Sequence, residues 1–479
     1  MEHKPLSSKE KALQINLDEF IYGSFAEIGA GQDTAAIFFK AGGASGTVAK
    51  TMSAYDMAFS DAIYGPEENK RYVCKPRLLK MLEKEYSLLP KRLPHRADRT
   101  CFFAFANTVE ALNFKRTNEG HGWVGVRFQT RPNGPVNDCI IHVKMKDNDP
   151  VWQQNALGIV GVNLIYACFY YRNDIEVFMK SLLDEVTIHR IEIDYFELRG
   201  DDFNHIDNRL LSLKLVRLGL TNITMFDPDG NVLHPADALY KKNVMIVRGR
   251  FRPVTLVNMD MIQKGKEQFY KDPEVDKTNT VIICELTLDQ LAAAGNQDGN
   301  IDERDFLYRA DILCSLGQTV MISNVKHYYR LVPFLSKLTR GKKIGIVLGV
   351  YNLLSLFDEK NYDGLKGGIL ESFGTLFSNN VKMFVYPSYK PGTKEIVNVY
   401  TLELPPTLID LLEYLVVNNK VEDIKDYVEE HLDIISDNVL AQIKKGEEGW
   451  EKLVPEGVAS IIKSRCLFDY PCKVEPQID

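Results

Sequence analysis

Val320-Met-Ile-Ser323, a helical stretch over 326–339 and Ile344-Gly-Ile-Val-Leu348 follow one another late in the chain and decide its fold class. The same alternation begins at Val281-Ile-Ile-Cys-Glu-Leu286 and ends at Val381-Lys-Met-Phe-Val-Tyr386. Short apolar runs that alternate with helical segments at this spacing predict βαβ units around a parallel sheet, with right-handed crossovers. The pattern leaves open whether the sheet is open and doubly wound or closes like a barrel.

The pattern changes on either side of this region. Residues 1–135 mix strand-like runs with helical and polar segments, which predicts a mixed α+β N-terminal region. Residues 136–404 carry the alternation and predict the α/β body. After Pro405-Pro406 the pattern is helical, which predicts a helical C-terminal cap over 405–479. We therefore predict an α/β protein with a mainly parallel sheet.

Composition limits the classes of function. The chain has 479 residues, 45% hydrophobic and 26% charged, which is typical of a globular protein of two or three domains. A net charge of −7 argues against nucleic acid as a partner. A polar start and the absence of any run of about 18 apolar residues argue against a membrane partner and favour the cytoplasm. The eight cysteines include no C-x-x-C pair and are interpreted as reduced, buried thiols.

Residues 23–51 carry two glycine-rich turns, each of which can bring backbone N–H groups close to a ligand. The first turn contains Gly29 and Gly31 and resembles the first motif of Rossmann-type methyltransferases. The residues before it, Phe20 to Phe25, form a poor strand, and no third glycine follows. One hypothesis gives these glycines to a bound cofactor, and the alternative is a structural turn.

The second turn contains Gly43 and Gly46 and precedes Lys50. It resembles a phosphate loop, except that Ala49 stands where that loop has a glycine before the lysine. Lys50 is the residue of interest, because a lysine beside exposed N–H groups can neutralise a phosphate. The alternative is again a structural turn.

A basic segment contains Arg248, Arg250 and Arg252. On a strand these three side chains share one face, since side chains alternate with period two. Three guanidinium groups on one face repel one another unless an anion lies opposite. That anion is either the acidic stretch from Asp184 to Asp207 or a phosphate- or carboxylate-bearing small molecule, whose geometry suits arginine.

Polar residues follow the predicted parallel strands, where ligands bind in α/β sheets. Glu285 lies near the end of one strand, and Ser323, Asn324 and His327 follow the next. We assign these four residues as candidate catalytic residues, with His327 as the acid–base group because its ordinary pKa lies near neutrality. The alternative is that the residues after the strand only cap the next helix.

No metal site is predicted. The nine histidines are scattered, and the oxygen-rich stretch Asp201–Asp207 is interpreted as a solvated helix-capping loop. The stretch Asn296–Asp302 is similar to a calcium loop, but its first ligand position would be Ala294. Ala292–Asn300 is instead expected to be a flexible insertion.

Several motifs are similar to those of an uncharacterised bacterial family whose members have about this length. They are Ile21-Tyr-Gly-Ser-Phe-Ala-Glu-Ile-Gly-Ala-Gly-Gln32, Gly42-Gly-Ala-Ser-Gly-Thr-Val-Ala-Lys-Thr51, Asp207-Asn-Arg-Leu210, Phe251-Arg-Pro-Val-Thr255 and Gly367-Gly-Ile-Leu-Glu-Ser-Phe-Gly374. Members of that family carry two conflicting automatic labels, TonB-dependent receptor and nicotinate-nucleotide adenylyltransferase. The first label implies a barrel of about 22 strands, which this pattern does not predict. The second implies an H-x-G-H motif, and the nearest text is Gly120-His121-Gly122.

Three hypotheses on function follow. The first is a cytoplasmic enzyme that acts on a phosphorylated or nucleotide-like small molecule, with the reaction and any cofactor unknown. The second is a non-catalytic scaffold or sensor subunit of a larger assembly, such as a homo-oligomer, with the helical tail as the interface. The third is an adenosyl-dependent transferase that uses the first glycine turn.

Overall fold

The computed structural model describes residues 5–67, 71–293, 300–378 and 380–472. The chain divides into two compact units, Met1–Asn222 and Ile223–Asp479. This division differs from the expected boundary near residue 135, which falls in the turn between two strands that pair along their length. Most of the predicted insertion Ala292–Asn300, and the core of the calcium-like stretch, lie outside the described residues.

The first unit contains one mixed sheet with helices on both faces. Its strands are β1 (Ile21–Gly29), β2 (Val48–Ala54), β3 (Cys101–Glu110), β4 (Gly120–Gln129), β5 (Val136–Met145) and β6 (Ile191–Arg199). Its helices are α1 (Ser8–Asn16), α2 (Asp33–Ala41), α3 (Met57–Tyr64), α4 (Lys75–Arg92), α5 (Pro150–Tyr170), α6 (Ile175–Ser181) and α7 (Asn208–Arg217). The strand order is β2-β1-β3-β4-β5-β6, with β1 parallel to β2 and β3 and the later neighbours antiparallel.

β1 is the strand that the sequence pattern concealed. Phe20 to Phe25 were expected to form a poor strand, yet Ile21–Gly29 lie between β2 and β3 and pair with both. A Cβ at Gly23 would lie 2.4 Å from the ring of Phe103 on β3. The small residues of β1 therefore make room for the large aromatic side chains of its neighbour.

The core of the first unit explains the longest apolar stretch of the sequence. Helix α5 is buried without interruption from Ala156 to Phe169, which is why these residues are apolar on every side apart from the hydrogen-bonded Asn163. Glycines let it approach α2 closely, and a Cβ at Gly161 would lie 2.3 Å from Thr34 Oγ1. Among the described residues, no helix combines the length and apolarity needed to cross a membrane.

The described part of the second unit contains the four strands that the alternating pattern predicted and six others. They are β7 (Ile223–Phe226), β8 (Val232–Leu233), β9 (Asn243–Arg248), β10 (Thr280–Thr287), β11 (Thr319–Ser323), β12 (Ile344–Gly349), β13 (Val381–Tyr386), β14 (Ser388–Tyr389), β15 (Ile396–Val397) and β16 (Val421–Asp423). The four predicted strands are β10 to β13. Its helices are α8 (Pro235–Ala238), α9 (Leu256–Phe269), α10 (Leu288–Ala292), α11 (Glu303–Ser315), α12 (Tyr328–Thr339), α13 (Val350–Leu356), α14 (Gly368–Phe377), α15 (Pro406–Val417), α16 (Ser436–Lys445) and α17 (Val458–Arg465).

The second sheet is mainly parallel, as the sequence predicted. Its order is β16-β13-β12-β9-β10-β11-β7-β8, and the strands from β16 to β11 all pair in parallel. At the other end of the sheet, β7 pairs with β11 in the antiparallel sense, and β8 pairs with β7 as the edge strand. The central strands are buried on both faces, which accounts for their continuous valine and isoleucine runs. The order settles the open question in favour of an open sheet.

The C-terminal region is mainly helical, as expected, but it also contributes to the sheet. β16 pairs with β13, so residues after Pro405 form part of the second unit's core. The outer side of α15 exposes Ile409, Tyr414 and Val417, and self-association through this region stays a prediction. Cys466 and Cys472 form a disulfide, so the expectation of reduced thiols was wrong for this pair. The other six cysteines form no disulfide within the described residues, and all but Cys74 are buried.

Candidate functional site

The strand order of the second sheet reverses between β9 and β12. From β9 the chain first adds β10 and β11 on one side, then returns to the other side of β9 to add β12, β13 and β16. β9 ends at Arg248 and β12 at Gly349, at the same edge because the two strands are parallel. In open α/β sheets, ligands bind outside the carboxyl ends of the strands at such a reversal. We call this place the switch-point edge.

Helix α9 also begins at the switch-point edge. It follows β9 through residues 249–255, and its first turn is closed by a capping box in which the Thr255 N–H donates to Asn258 Oδ1 at 3.0 Å. The positive end of a helix dipole favours a nearby anion. The loop between β9 and α9 therefore lies where an anionic group is stabilised.

Arg248, Glu285 and Ser323 lie together, at or near the ends of three adjacent strands. Arg248 Nε and Nη2 donate to the two carboxylate oxygens of Glu285 at 2.8 and 2.9 Å, and Ser323 Oγ donates to Oε1 at 2.5 Å. Glu285 and Ser323 are fully buried. Glu285 and Ser323 were expected at one edge of the sheet, and the hydrogen bonds of Glu285 with Arg248 and Ser323 make the three residues a clamp between strands.

Arg248 also holds the loop that follows β11. Its guanidinium donates to the carbonyl oxygens of Val325 and Lys326 at 2.9 and 2.5 Å and lies 4.3 Å from the centre of the Tyr328 ring. Burial lowers the pKa of Arg248, but the charge of Glu285 and the Tyr328 phenol outweigh it and raise the pKa overall. The arginine is therefore a fixed cation that positions residues 324–327, and Asn324 is exposed in this segment.

His327 lies at the start of α12, and its side chain makes no capping hydrogen bond there. His327 is the N-cap residue of α12, so the capping alternative holds for its backbone and not for its side chain. Its ring stacks on that of Tyr329, with centroids 5.5 Å apart, and Tyr362 lies 6.3 Å away. Burial lowers the pKa of His327, and the positive charges of Lys326, Arg330 and Arg248 lower it further. The imidazole is therefore neutral at pH 7 and can accept a proton.

The prediction that Arg248, Arg250 and Arg252 share a strand face was wrong. β9 ends at Arg248, so Arg250 and Arg252 lie outside the strand, and Phe251 between them has φ of +46°. Arg250 Nη2 pairs with Asp437 Oδ2 at 2.9 Å, and Arg252 Nε pairs with Asp305 Oδ1 at 2.5 Å.

Each of the three arginines therefore has its own carboxylate within the second unit. The acidic stretch Asp184–Asp207, which was the expected alternative partner, belongs to the first unit. Within that stretch, Asp184 forms an ion pair with Lys11, and Glu197 forms one with Lys75.

Arg309 is a site residue that sequence reasoning missed. It lies on α11, fully buried, and its Nη1 donates to the carbonyl oxygen of Arg250 at 3.1 Å. Its Nη2 pairs with Asp305, the partner of Arg252, while its buried Nε has no hydrogen-bond partner within the described residues. Burial lowers the pKa of Arg309. An arginine four residues after an aspartate on a predicted amphipathic helix was the available signal.

The glycine-rich turns belong to the first unit. Gly29 ends β1 with φ of +77°, and a Cβ there would lie 2.2 Å from the carbonyl oxygen of Val109. A Cβ at Gly31 would lie 2.2 Å from Asn107 Oδ1. Both glycines are therefore needed for close packing against β3, which supports the structural alternative.

The second turn has a similar explanation. Gly43, with φ of +72°, begins a short 3-10 turn that ends at Gly46 and leads into β2. Lys50 lies on β2, where its Nζ pairs with Glu85 Oε2 at 2.6 Å. Lys50 and Arg250 thus belong to different units, and each has a carboxylate partner in its own unit.

Comparisons with known proteins assign no family. No family model matches the chain, and no curated protein matches it. Among solved structures, the competence/damage inducible protein CihA from Agrobacterium tumefaciens is similar over 35% of this chain and 98% of its own, with 20% identity and a TM-score of 0.25.

Two further structures give the same result. CinA superfamily proteins from Klebsiella pneumoniae and Enterobacter cloacae are 12% and 10% identical, with TM-scores of 0.25 and 0.26. They cover 34% and 35% of this chain, and 96% and 95% of their own. At these identities and TM-scores, the likeness carries no argument about the function of this chain.

Proposed function

We propose that the second unit is an enzyme domain that binds a phosphorylated or nucleotide-like small molecule at the switch-point edge. The observation that carries the proposal is the loop 249–255, which follows the central strand β9 at the reversal of strand order and carries Arg250 and Arg252. An anion held there would lie beside the N-terminus of α9, where the helix dipole is favourable.

The arginines have different roles in this proposal. Arg248 is committed to Glu285 and to two carbonyl oxygens, so it supports the loops. Arg250 is the group that contacts the ligand, because its side chain is 56% exposed and its partner Asp437 is 60% exposed. An exposed ion pair of this kind contributes about 0–1 kcal/mol, so a phosphate can replace the carboxylate at small cost.

Arg252 and Arg309 hold the loop 249–255 in place through largely buried contacts. Their shared partner Asp305 is 7% exposed in its side chain, so this pairing is not readily exchanged. Arg309 also donates to the backbone of Arg250. Replacing Arg309 would therefore disturb the loop, whereas replacing Arg250 removes the ligand contact and one exposed ion pair, that with Asp437.

His327 is the acid–base residue of the proposal. It lies directly after Lys326, whose carbonyl oxygen Arg248 holds, so its position is fixed relative to the end of β9. The rings of Tyr329 and Tyr362 beside it offer the apolar flat surface on which a nucleobase stacks. A neutral imidazole beside a bound phosphoryl compound can take a proton from an attacking hydroxyl group.

The test is a thermal-shift panel of nucleotides, phosphorylated metabolites and adenosyl compounds on the full chain. A ligand at ten times its Kd stabilises the fold by about 1.4 kcal/mol. Arg250→Gln should weaken binding about 10- to 150-fold, because a hydrogen bond to a charged group is worth about 1.5–3 kcal/mol. Lys342→Gln is the matched control, since Lys342 is exposed just before β12, at the opposite edge of the sheet.

Two outcomes would count against the proposal. One is a panel in which no compound stabilises the protein. The other is a stabilising compound whose affinity changes equally in the Arg250 and Lys342 variants, because the ligand then lies away from the switch-point edge.

A further inference from the structure

Three side chains on adjacent strands of the first unit form a hydrogen-bonded chain. His142 Nδ1 lies 2.5 Å from Asp194 Oδ1, and His142 Nε2 lies 3.1 Å from His121 Nδ1. Asp194 lies on β6, His142 on β5 and His121 on β4, so the chain crosses the antiparallel part of the sheet. It shares no residue with the switch-point edge.

A β-bulge places the carboxylate in this chain. His142 pairs with Tyr195 and Val143 pairs with Ile193, so Asp194 is an extra residue in β6. In a regular strand, Asp194 and Tyr195 would face opposite sides of the sheet. Bulges re-aim side chains and are common next to active sites.

The directions of the hydrogen bonds follow from the chemistry of the groups. An ionised carboxylate only accepts, so His142 donates from Nδ1 to Asp194. A neutral His142 then accepts at Nε2, and His121 must donate from Nδ1. The basic lone pair of His121 consequently lies on Nε2. Lys144 Nζ pairs with Asp194 Oδ2 at 2.8 Å and holds the carboxylate in place.

Burial decides which end of this series of hydrogen-bonded side chains can react. His142 is 0% and Asp194 is 2% exposed, whereas the His121 side chain is 33% exposed. The carboxylate of Glu110 lies 4.0 Å from His121 Nε2, where it stabilises the imidazolium once a proton has arrived. Trp123 packs against His142 with ring centroids 4.9 Å apart and keeps that ring in position.

We propose that His121, His142 and Asp194 form a second acid–base site, in which His121 Nε2 accepts a proton from the O–H group of water or of a small hydroxyl compound. The O–H bond breaks, the oxygen keeps the electron pair, and a new N–H bond forms at Nε2. His121 is the catalytic residue because it contacts the O–H group. His142 and Asp194 are positioning residues that fix its tautomer and raise its basicity.

The first experiment measures the tautomers directly. The full chain is labelled with ¹⁵N-histidine, its imidazole signals are recorded by long-range ¹H–¹⁵N correlation at neutral pH, and His121→Gln assigns the signal of interest. We expect hydrogen on Nδ1 and a lone pair on Nε2 for both His121 and His142. A neutral His121 with hydrogen on Nε2 would overturn the proposal. The tautomers are measured on the original protein, and the variant serves only to assign the signal.

The second experiment measures reactivity with diethyl pyrocarbonate, which acylates neutral imidazole nitrogen, by peptide mass spectrometry. Asp194→Asn can donate its amide N–H to His142 Nδ1, which reverses the chain and moves a proton onto His121 Nε2. The modification rate of His121 should then fall about tenfold, the lower end of the effect of losing such a supporting carboxylate.

The exposed His95 and His205 are internal references whose rates should not change. Asp201→Asn replaces an exposed aspartate of the same unit and serves as the matched control. An unchanged rate at His121 in a folded Asp194→Asn variant would show that the three residues are only a structural cluster.

Discussion

Replacing Glu285 with glutamine tests whether the clamp between β9, β10 and β11 holds the switch-point edge together. The carboxylate accepts hydrogen bonds from Arg248 Nε, Arg248 Nη2 and Ser323 Oγ. Glutamine keeps the shape but offers one oxygen and one NH₂ group. The NH₂ group must then face a donor, and Arg248 keeps its charge without a counterion.

The magnitude follows from the burial of the pair. Glu285 is 0% and Arg248 is 10% exposed in their side chains. Removing one partner of a buried ion pair costs about 3–5 kcal/mol. Arg248 retains two carbonyl acceptors at Val325 and Lys326, so we expect a value near the lower end, about 3 kcal/mol.

Hydrogen exchange with mass spectrometry measures this loss locally, which suits a chain of two units. A loss of about 3 kcal/mol corresponds to about 150-fold faster exchange in peptides from β9, β10 and β11. Glu274→Gln is the control, because Glu274 is 68% exposed and forms a surface pair with Lys343, so its loss should stay below about 1 kcal/mol. Adding Arg248→Met to Glu285→Gln removes the stranded charge and should recover much of the protection.

The reasoning is refuted if Glu285→Gln speeds exchange no more than Glu274→Gln does. It is also refuted if the double variant loses the sum of the two single losses, since the two residues would then not be coupled.

Two further predictions concern the first unit. Burial raises the pKa of Glu27 to about 8, and its Oε1 has no hydrogen-bond partner within the described residues. The folded state therefore keeps its proton above pH 4.5 while the unfolded state loses it, so this group makes stability fall as pH rises from about 4.5 to about 8. Glu27→Gln should remove that fall and stabilise the unit at pH 8 by a few kcal/mol. Urea denaturation of the original protein and of the variant at pH 5 and pH 8 measures this difference. The same pH dependence of stability in both proteins would contradict the prediction. Gly29→Ala should cost at least about 3 kcal/mol, because its Cβ would meet the carbonyl oxygen of Val109, whereas Gly43→Ala should cost about 1 kcal/mol for its positive φ alone. Similar losses in the two alanine variants would show that close packing is not the reason for Gly29.

The second unit was the part that sequence could predict. Its parallel strands are buried on both faces, so each is a short run of valine and isoleucine that stands out between helical segments. β16 was not predicted, because the three residues Val421–Asp423 are too few to show a strand pattern of hydrophobic residues. β1 was not predicted because Gly23 weakens its strand pattern, and only the pairing shows that a glycine is needed there to make room for Phe103 on β3.

The candidate site was predicted only where neighbouring strands determine it. Glu285 and Ser323 were placed together correctly, because parallel strands end at a common edge. Arg250 and Arg252 were misplaced because neither the end of β9 at Arg248 nor the left-handed residue Phe251 leaves a pattern in the side chains. The hydrogen bonds that link Asp194, His142 and His121 were not predicted, because they depend on a bulge and on strand register.

The most direct test of the central claim is hydrogen exchange of the full chain with and without the compound that stabilises it most in the nucleotide and phosphate panel. The account predicts slower exchange in residues 248–258 and 323–328 and no change in residues 29–51. Protection confined to 29–51, or no protection with any compound, would contradict a ligand site at the switch-point edge.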